Sequence, residues 1–105
     1  MSERPANRHR GEATLVVAGR PHTLRPTFAA LVAAEEELGS LFALVERAGK
    51  GGLRLSELAA LFWHCLAERG EITREEVGAA VMERGLAGCA PALRAVLAQI
   101  LQGAG

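Results

Sequence analysis

The sequence predicts an α+β domain, predominantly helical, with an N-terminal β-hairpin packed on a bundle of four to five short helices. Three observations predict it. Residues 12–25 gather β-branched residues on either side of a glycine–proline turn. Beyond Pro26 the apolar residues recur at helical spacing, and a glycine or a capping residue falls at nearly every interval. The chain has 105 residues, half of them apolar, which suits one domain with a modest core rather than a disordered polymer. With only Phe28, Phe42, Phe62 and Trp63 as aromatics, aliphatic side chains are expected to form most of that core.

Residues 1–10, MSERPANRHR, are polar and contain Pro5, and they read as a flexible basic arm ahead of a single domain over 11–105. A hairpin over 12–25 follows. Ala13, Leu15 and Val17 alternate with Thr14, Val16 and Ala18, Gly19-Arg20-Pro21 supplies turn chemistry, and His22-Thr23-Leu24-Arg25 resumes the extended pattern. Two strands are marginal in water, so this hairpin must lie on helices or pair with the edge of another chain.

Pro26 ends the strand, and Thr27 is a fair N-cap for a helix over 27–38 stopped by Gly39. Phe28, Leu31, Val32, Glu35 and Leu38 are expected along its inner face, with Glu35 meeting Arg20 or Arg25 of the hairpin. Ser40 can cap a second helix over about 41–48. The Gly49-Lys50-Gly51-Gly52 loop behind it follows a helix and lacks the GxxxxGK[ST] spacing, so it is not a phosphate loop.

Ser56 is expected to cap a third helix to about 68. Leu55, Leu58, Ala59, Phe62 and Leu66 share a face that Leu61 and Cys65 widen, the breadth of a central helix. Thr73-Arg74-Glu75-Glu76 is a capping box, and Ile72 and Val77 occupy the staple positions, so a fourth helix runs over 74–84 and stops at Gly85. A last helix, over 91–102, is expected to begin near Pro91, with Leu93, Val96, Leu97, Ile100 and Leu101 at regular helical spacing.

Charge and motif content narrow the function classes. Twelve acidic residues balance twelve basic ones, which argues against sequence-independent nucleic-acid binding. Residues 1–26 nevertheless hold Arg4, Arg8, Arg10, Arg20 and Arg25 against Glu3 and Glu12, while Glu35, Glu36, Glu37 and Glu46 follow with Arg47 alone. The polar start has no apolar h-region behind it, and no apolar run reaches the length of a membrane span, so a cytoplasmic protein is expected. Cys65 and Cys89 then behave as small buried hydrophobes.

No chemistry-bearing constellation emerges. His64 and Cys65 lack CxxC or HxxxH spacing, and adjacent helical residues diverge, with His64 expected toward solvent and Cys65 toward the core. The same divergence disfavours a Cys–His nucleophile. Glu35-Glu36-Glu37 fans around its helix rather than pairing carboxylates. Arg69-Gly70-Glu71-Ile72-Thr73 lacks the alternating oxygen ligands of a calcium loop. Helix four carries Glu75, Glu76 and Glu83 beside Arg74 and Arg84, a poor recognition helix, although a small DNA-binding regulator stays a competing reading. No catalytic residue, cofactor or metal is expected, and the chain reads as a binding protein rather than an enzyme.

One ordered set of elements carries a family resemblance. Asn7-Arg8-His9-Arg10-Gly11-Glu12, a strand, a glycine turn, Thr23-Leu24-Arg25, then Thr27, Leu31, Glu35, Leu38 and Gly39 resemble the small protein found among the tail genes of gene transfer agents and related prophages. That family is described as a tail assembly chaperone and also as a tail tube protein. The resemblance implies a role in tail morphogenesis, with the tape-measure protein or the tail tube protein as partner, homo-oligomerisation open, and association with phage-like particles. It draws attention to the hairpin and first helix, with Arg8, Arg10, Glu12, Arg25 and Glu35 as partner-binding residues. A tube subunit would be expected to bring a larger β-sheet than one hairpin, which favours the chaperone.

Overall fold

A computed structural model describes residues 12–102. Two antiparallel strands, β1 (Ala13–Val17) and β2 (Arg20–Leu24), are followed by five helices: α1 (Phe28–Leu38), α2 (Leu41–Gly49), α3 (Leu55–Cys65), α4 (Arg74–Arg84) and α5 (Leu86–Gln102). The expected class, a hairpin leading a mostly helical α+β chain, is the one found.

The hairpin register pairs Ala13 with Leu24, Leu15 with His22 and Val17 with Arg20, so the turn is the two-residue Ala18-Gly19. Both turn residues have positive φ, 52° and 80°, the pattern of a type I′ turn whose twist matches that of the strands. The turn therefore lies one residue earlier than Gly19-Arg20-Pro21, and Arg20 and Pro21 are strand residues. Pro21 is tolerated because it sits opposite Val16 at a non-hydrogen-bonded position, its nitrogen facing away from β1.

Leu15, Val17 and Leu24 are buried, so one face of the hairpin lies on the helices. The outer side of β2 gains a further short partner. The Arg25 amide donates to the Cys65 carbonyl at 2.6 Å, and the Ala67 amide donates to the Thr23 carbonyl at 2.9 Å. This antiparallel bridge, centred on Leu24 and Leu66, stitches the hairpin to the end of α3.

The core forms around α3, which buries Leu58, Ala60, Leu61, Phe62 and Cys65, as its broad apolar face predicts. Leu44 of α2, Val77 and Val81 of α4, and Cys89 and Val96 of α5 close around it. Two helix boundaries differ from expectation. Arg54, not Ser56, is the N-cap of α3, and its amide donates to the Glu57 carboxylate at 2.9 Å. The helix ends at Cys65, three residues early, because Leu66 turns extended to form the bridge with β2. Likewise α5 starts at Leu86, with the Cys89 amide donating to the Gly85 carbonyl. Pro91 thus falls inside the helix and removes one amide from its second turn. The capping box of α4 is formed as read, with Thr73 accepting from the Glu76 amide at 3.1 Å and Glu76 accepting from the Thr73 amide at 2.9 Å. No helix of the described residues is long and apolar enough to cross a membrane.

Candidate functional site

Helix α1 is the element to build from. Thr27 caps it by accepting the Ala30 amide, and Gly39, at φ 81°, stops it. Alanines at 29, 30, 33 and 34 make the helix apolar on nearly every side, so periodicity alone does not choose a buried face. Packing does. Ala34 is buried, and Leu31 and Leu38 are half-buried against the core, so the short Ala34 side chain lets α1 sit close to its neighbours. Phe28 and Val32, expected on the inner face, point outward instead, with Phe28 84% exposed. The outward side of α1 thus presents Phe28, Ala29, Val32 and Ala33.

Beside it, α1 and the chain from His64 to Gly70 enclose an open groove of about 560 Å³. Its floor is small and apolar, from Ala29, Ala30, Ala33, Leu66 and Ala67. Among the described residues, Arg25, His64 and Arg69 are its titratable lining residues and no carboxylate lines it.

The polar side chains around this groove are held by one another. The Arg25 Nε donates to a Glu12 carboxylate oxygen at 2.8 Å, and Glu12 is buried while Arg25 remains partly open. Glu37 accepts from Arg74 and pairs with the His64 Nε2 at 2.8 Å, which holds its carboxyl down at about 2, the Arg74 bond contributing most. His64 was expected toward solvent, yet its side chain is only 10% exposed because Glu37 of α1 covers it. The neighbouring Trp63 donates from Nε1 to the Ile72 carbonyl at 2.8 Å. Two guanidinium groups lie over its ring, Arg69 at 4.0 Å and Arg74 at 4.5 Å from the centroid. These contacts tie α1, the end of α3 and the start of α4 into a fixed wall.

The five residues singled out from sequence fare differently. The structure brings Glu12 and Arg25 together. Glu35 is apart from them: it is exposed, and its carboxylate accepts from the Leu41 amide at 3.2 Å, so it secures α2 rather than meeting Arg20 or Arg25. The Gly39-Ser40 turn folds the start of α2 back onto α1 and brings that amide within reach. Arg8 and Arg10 lie outside the described residues. Sequence reasoning missed Trp63 with its two arginines, and also the bidentate Arg47–Glu57 pair, both contacts at 2.8 Å. That pair and the Arg54 amide hold the Glu57 carboxyl down at about 2. A Glu at the third position of a helix was a visible capping signal; its Arg47 partner, ten residues back across a loop, was not.

Burial pushes the Cys65 thiol up to about 12, so it is not a thiolate nucleophile at neutral pH. No group of three or more His, Cys, Asp or Glu able to hold a metal occurs among the described residues. Arg74, one of the two cations of α4, is committed to Glu37, which leaves Glu75, Glu76 and Glu83 prominent on that helix. A phosphate backbone would be repelled there.

What remains is an exposed apolar side of α1, with a groove lined by Arg25, His64 and Arg69 alongside. A family described as phage tail tube protein, GTA-gp10, matches residues 10–103. The chain belongs to this family. It is therefore a phage-tail-related protein of the gene transfer agent type. No curated protein and no solved structure matches it. The match covers the hairpin, all five helices and the groove, so the whole described unit is the tail-related module.

Proposed function

We propose that this protein is a non-enzymatic tail assembly chaperone, which binds the tape-measure protein in the host cytoplasm during tail morphogenesis. The observation that carries this reading is the unburied apolar side of α1. Phe28 and Val32 stand exposed on that side, with Ala29 and Ala33 between them. An amphipathic helix of a partner can lay its apolar face there, in the helix-in-groove mode. Tape-measure proteins offer long helical chains that need cover before the tube polymerises round them.

In this reading Phe28 and Val32 are the apolar anchors, and Arg25, joined by Arg8 and Arg10 from the N-terminal segment, supplies the basic contacts. Glu12 holds Arg25 in position and Glu35 holds α2 against α1. Titrating the chain with segments of the tape-measure protein from the same gene cluster tests the idea. Phe28→Ser and Val32→Glu should each abolish binding while the helical circular-dichroism spectrum is retained. Unchanged affinity in both variants would remove α1 from the interface.

A second reading, a component of the tail tube itself, is favoured by the family's description and by the outer edge of β1. Thr14 and Val16 have no backbone partner on that edge among the described residues, and such an edge can add a strand from a neighbouring subunit. Negative-stain microscopy of concentrated protein separates the two, since a tube component forms rings or tubes and a chaperone does not.

A further inference from the structure

The outward side of α1 is a second stripe of regular helical spacing. Ala29, Val32, Ala33 and Glu36 stand at i, i+3, i+4 and i+7, with Phe28 alongside. Three of these four positions are apolar, and none is buried. The fourth, Glu36, is exposed and has no hydrogen-bond or ion-pair partner among the described residues. It is also on the wrong end of its helix: α1 has no acidic residue in its first turn and no basic residue in its last, so Glu36 faces the negative end of the helix dipole. Meanwhile the positive end of α1 follows Arg25, which lines the groove with Ala29 and stays partly open beside its Glu12 partner.

An antiparallel copy of the same stripe satisfies both ends at once. With a two-fold axis between residues 32 and 33, Ala29 lies opposite Glu36 of the second copy and Val32 lies opposite Ala33. Each Glu36 then comes to the start of the other α1, where the Phe28 and Ala29 amides have no partner within the helix and Arg25 lines the groove. The small side chains at 29 and 33 permit helix axes about 8 Å apart, the close end of the usual range. Phe28 and Val32 form one flank and Ala33 the other, so apolar surface is covered on both sides. Because the stripe is self-complementary, every contact occurs twice.

We propose that this chain forms a two-fold homodimer through antiparallel α1–α1 pairing, locked by Glu36 of each copy against the arginine-flanked start of α1 in the other. The contact is short, since an 11-residue helix spans about 16 Å. So small an interface belongs with weak, reversible contacts. The proposal does not rest on the chaperone reading, and it is tested on the chain alone.

Sedimentation velocity over a wide range of concentrations should show reversible dimerisation. Glu36→Arg should weaken it at least about tenfold, since like charges then face each other at both ends. Ala33→Cys provides a geometric check, because residue 33 meets its own copy beside the axis. Mild oxidation should link this variant into dimers, while Ala29→Cys, about 10 Å from its own copy along the helix, and the native chain, whose cysteines are buried, should stay unlinked. A monomer at all concentrations overturns the proposal. So does a dimer that survives Glu36→Arg, or one that Ala33→Cys fails to cross-link.

Discussion

At the scale of single residues, the least comfortable position is Ala18. It is the only described residue other than glycine with positive φ, at 52°. An L-residue with a Cβ pays about 1 kcal/mol there relative to glycine. Ala18→Gly should therefore stabilise the fold by up to about 1 kcal/mol, less the entropy that glycine adds to the unfolded chain. Denaturant unfolding with an unchanged m-value is the measurement, and a loss of stability would show that the turn is not type I′. Two carboxyls contribute to the acid limb of the stability curve. Glu37 and Glu57 are both held at about 2, from an ordinary 4.5, by their arginine partners. Between those values the unfolded chain binds more protons than the folded one, so stability rises with pH. The contribution is complete above about pH 4.5 and drains away as the pH falls toward 2. Both groups are near the surface, so salt should shrink the effect. Glu37→Gln and Glu57→Gln should each flatten the pH dependence of unfolding in this window and leave the slope above pH 5 unchanged.

At the scale of elements, what was legible in the sequence followed from local chemistry. The capping box at Thr73 and Glu76, the caps at Thr27 and Ser40 and the broad face of α3 are all short-range signals, and each is found in place. Long-range contacts decided the rest. The Arg25 and Ala67 backbone bonds end α3 early, and the choice of the Ala34 side of α1 over the Phe28 side depends on how closely α1 can approach the core. The candidate site was half legible for the same reason: Arg25 could be read as important, but its Glu12 partner is thirteen residues away across the hairpin. The two strands also differ in their surroundings. β2 lies between β1 and residues 65–67, whereas β1 has an outer edge without a partner among the described residues. Amide hydrogen exchange should reflect this, with Leu15 and Val17 protected and Thr14 and Val16 exchanging many-fold faster. Slow exchange at Thr14 and Val16 would mean that another strand covers that edge, in this chain or a neighbouring one.

At the scale of the whole molecule, the two proposed uses of the exposed side of α1 have a consequence for stoichiometry. The face of α1 that fits a second copy is the face offered to a tail-protein helix, and one helix face cannot hold both. Self-association and partner binding are then competing equilibria linked by mass action. Raising the concentration of this chain should weaken its apparent affinity for a tape-measure segment, since each binding event must first separate a dimer. The complex should contain one chain per bound segment, where the free protein pairs as proposed. Native mass spectrometry at increasing total concentration reads both quantities directly. If the bound species instead carries two chains with the Ala33→Cys cross-link still forming, α1 serves only self-pairing. The partner surface would then have to be sought at the outer edge of β1, where Thr14 and Val16 have no backbone partner among the described residues.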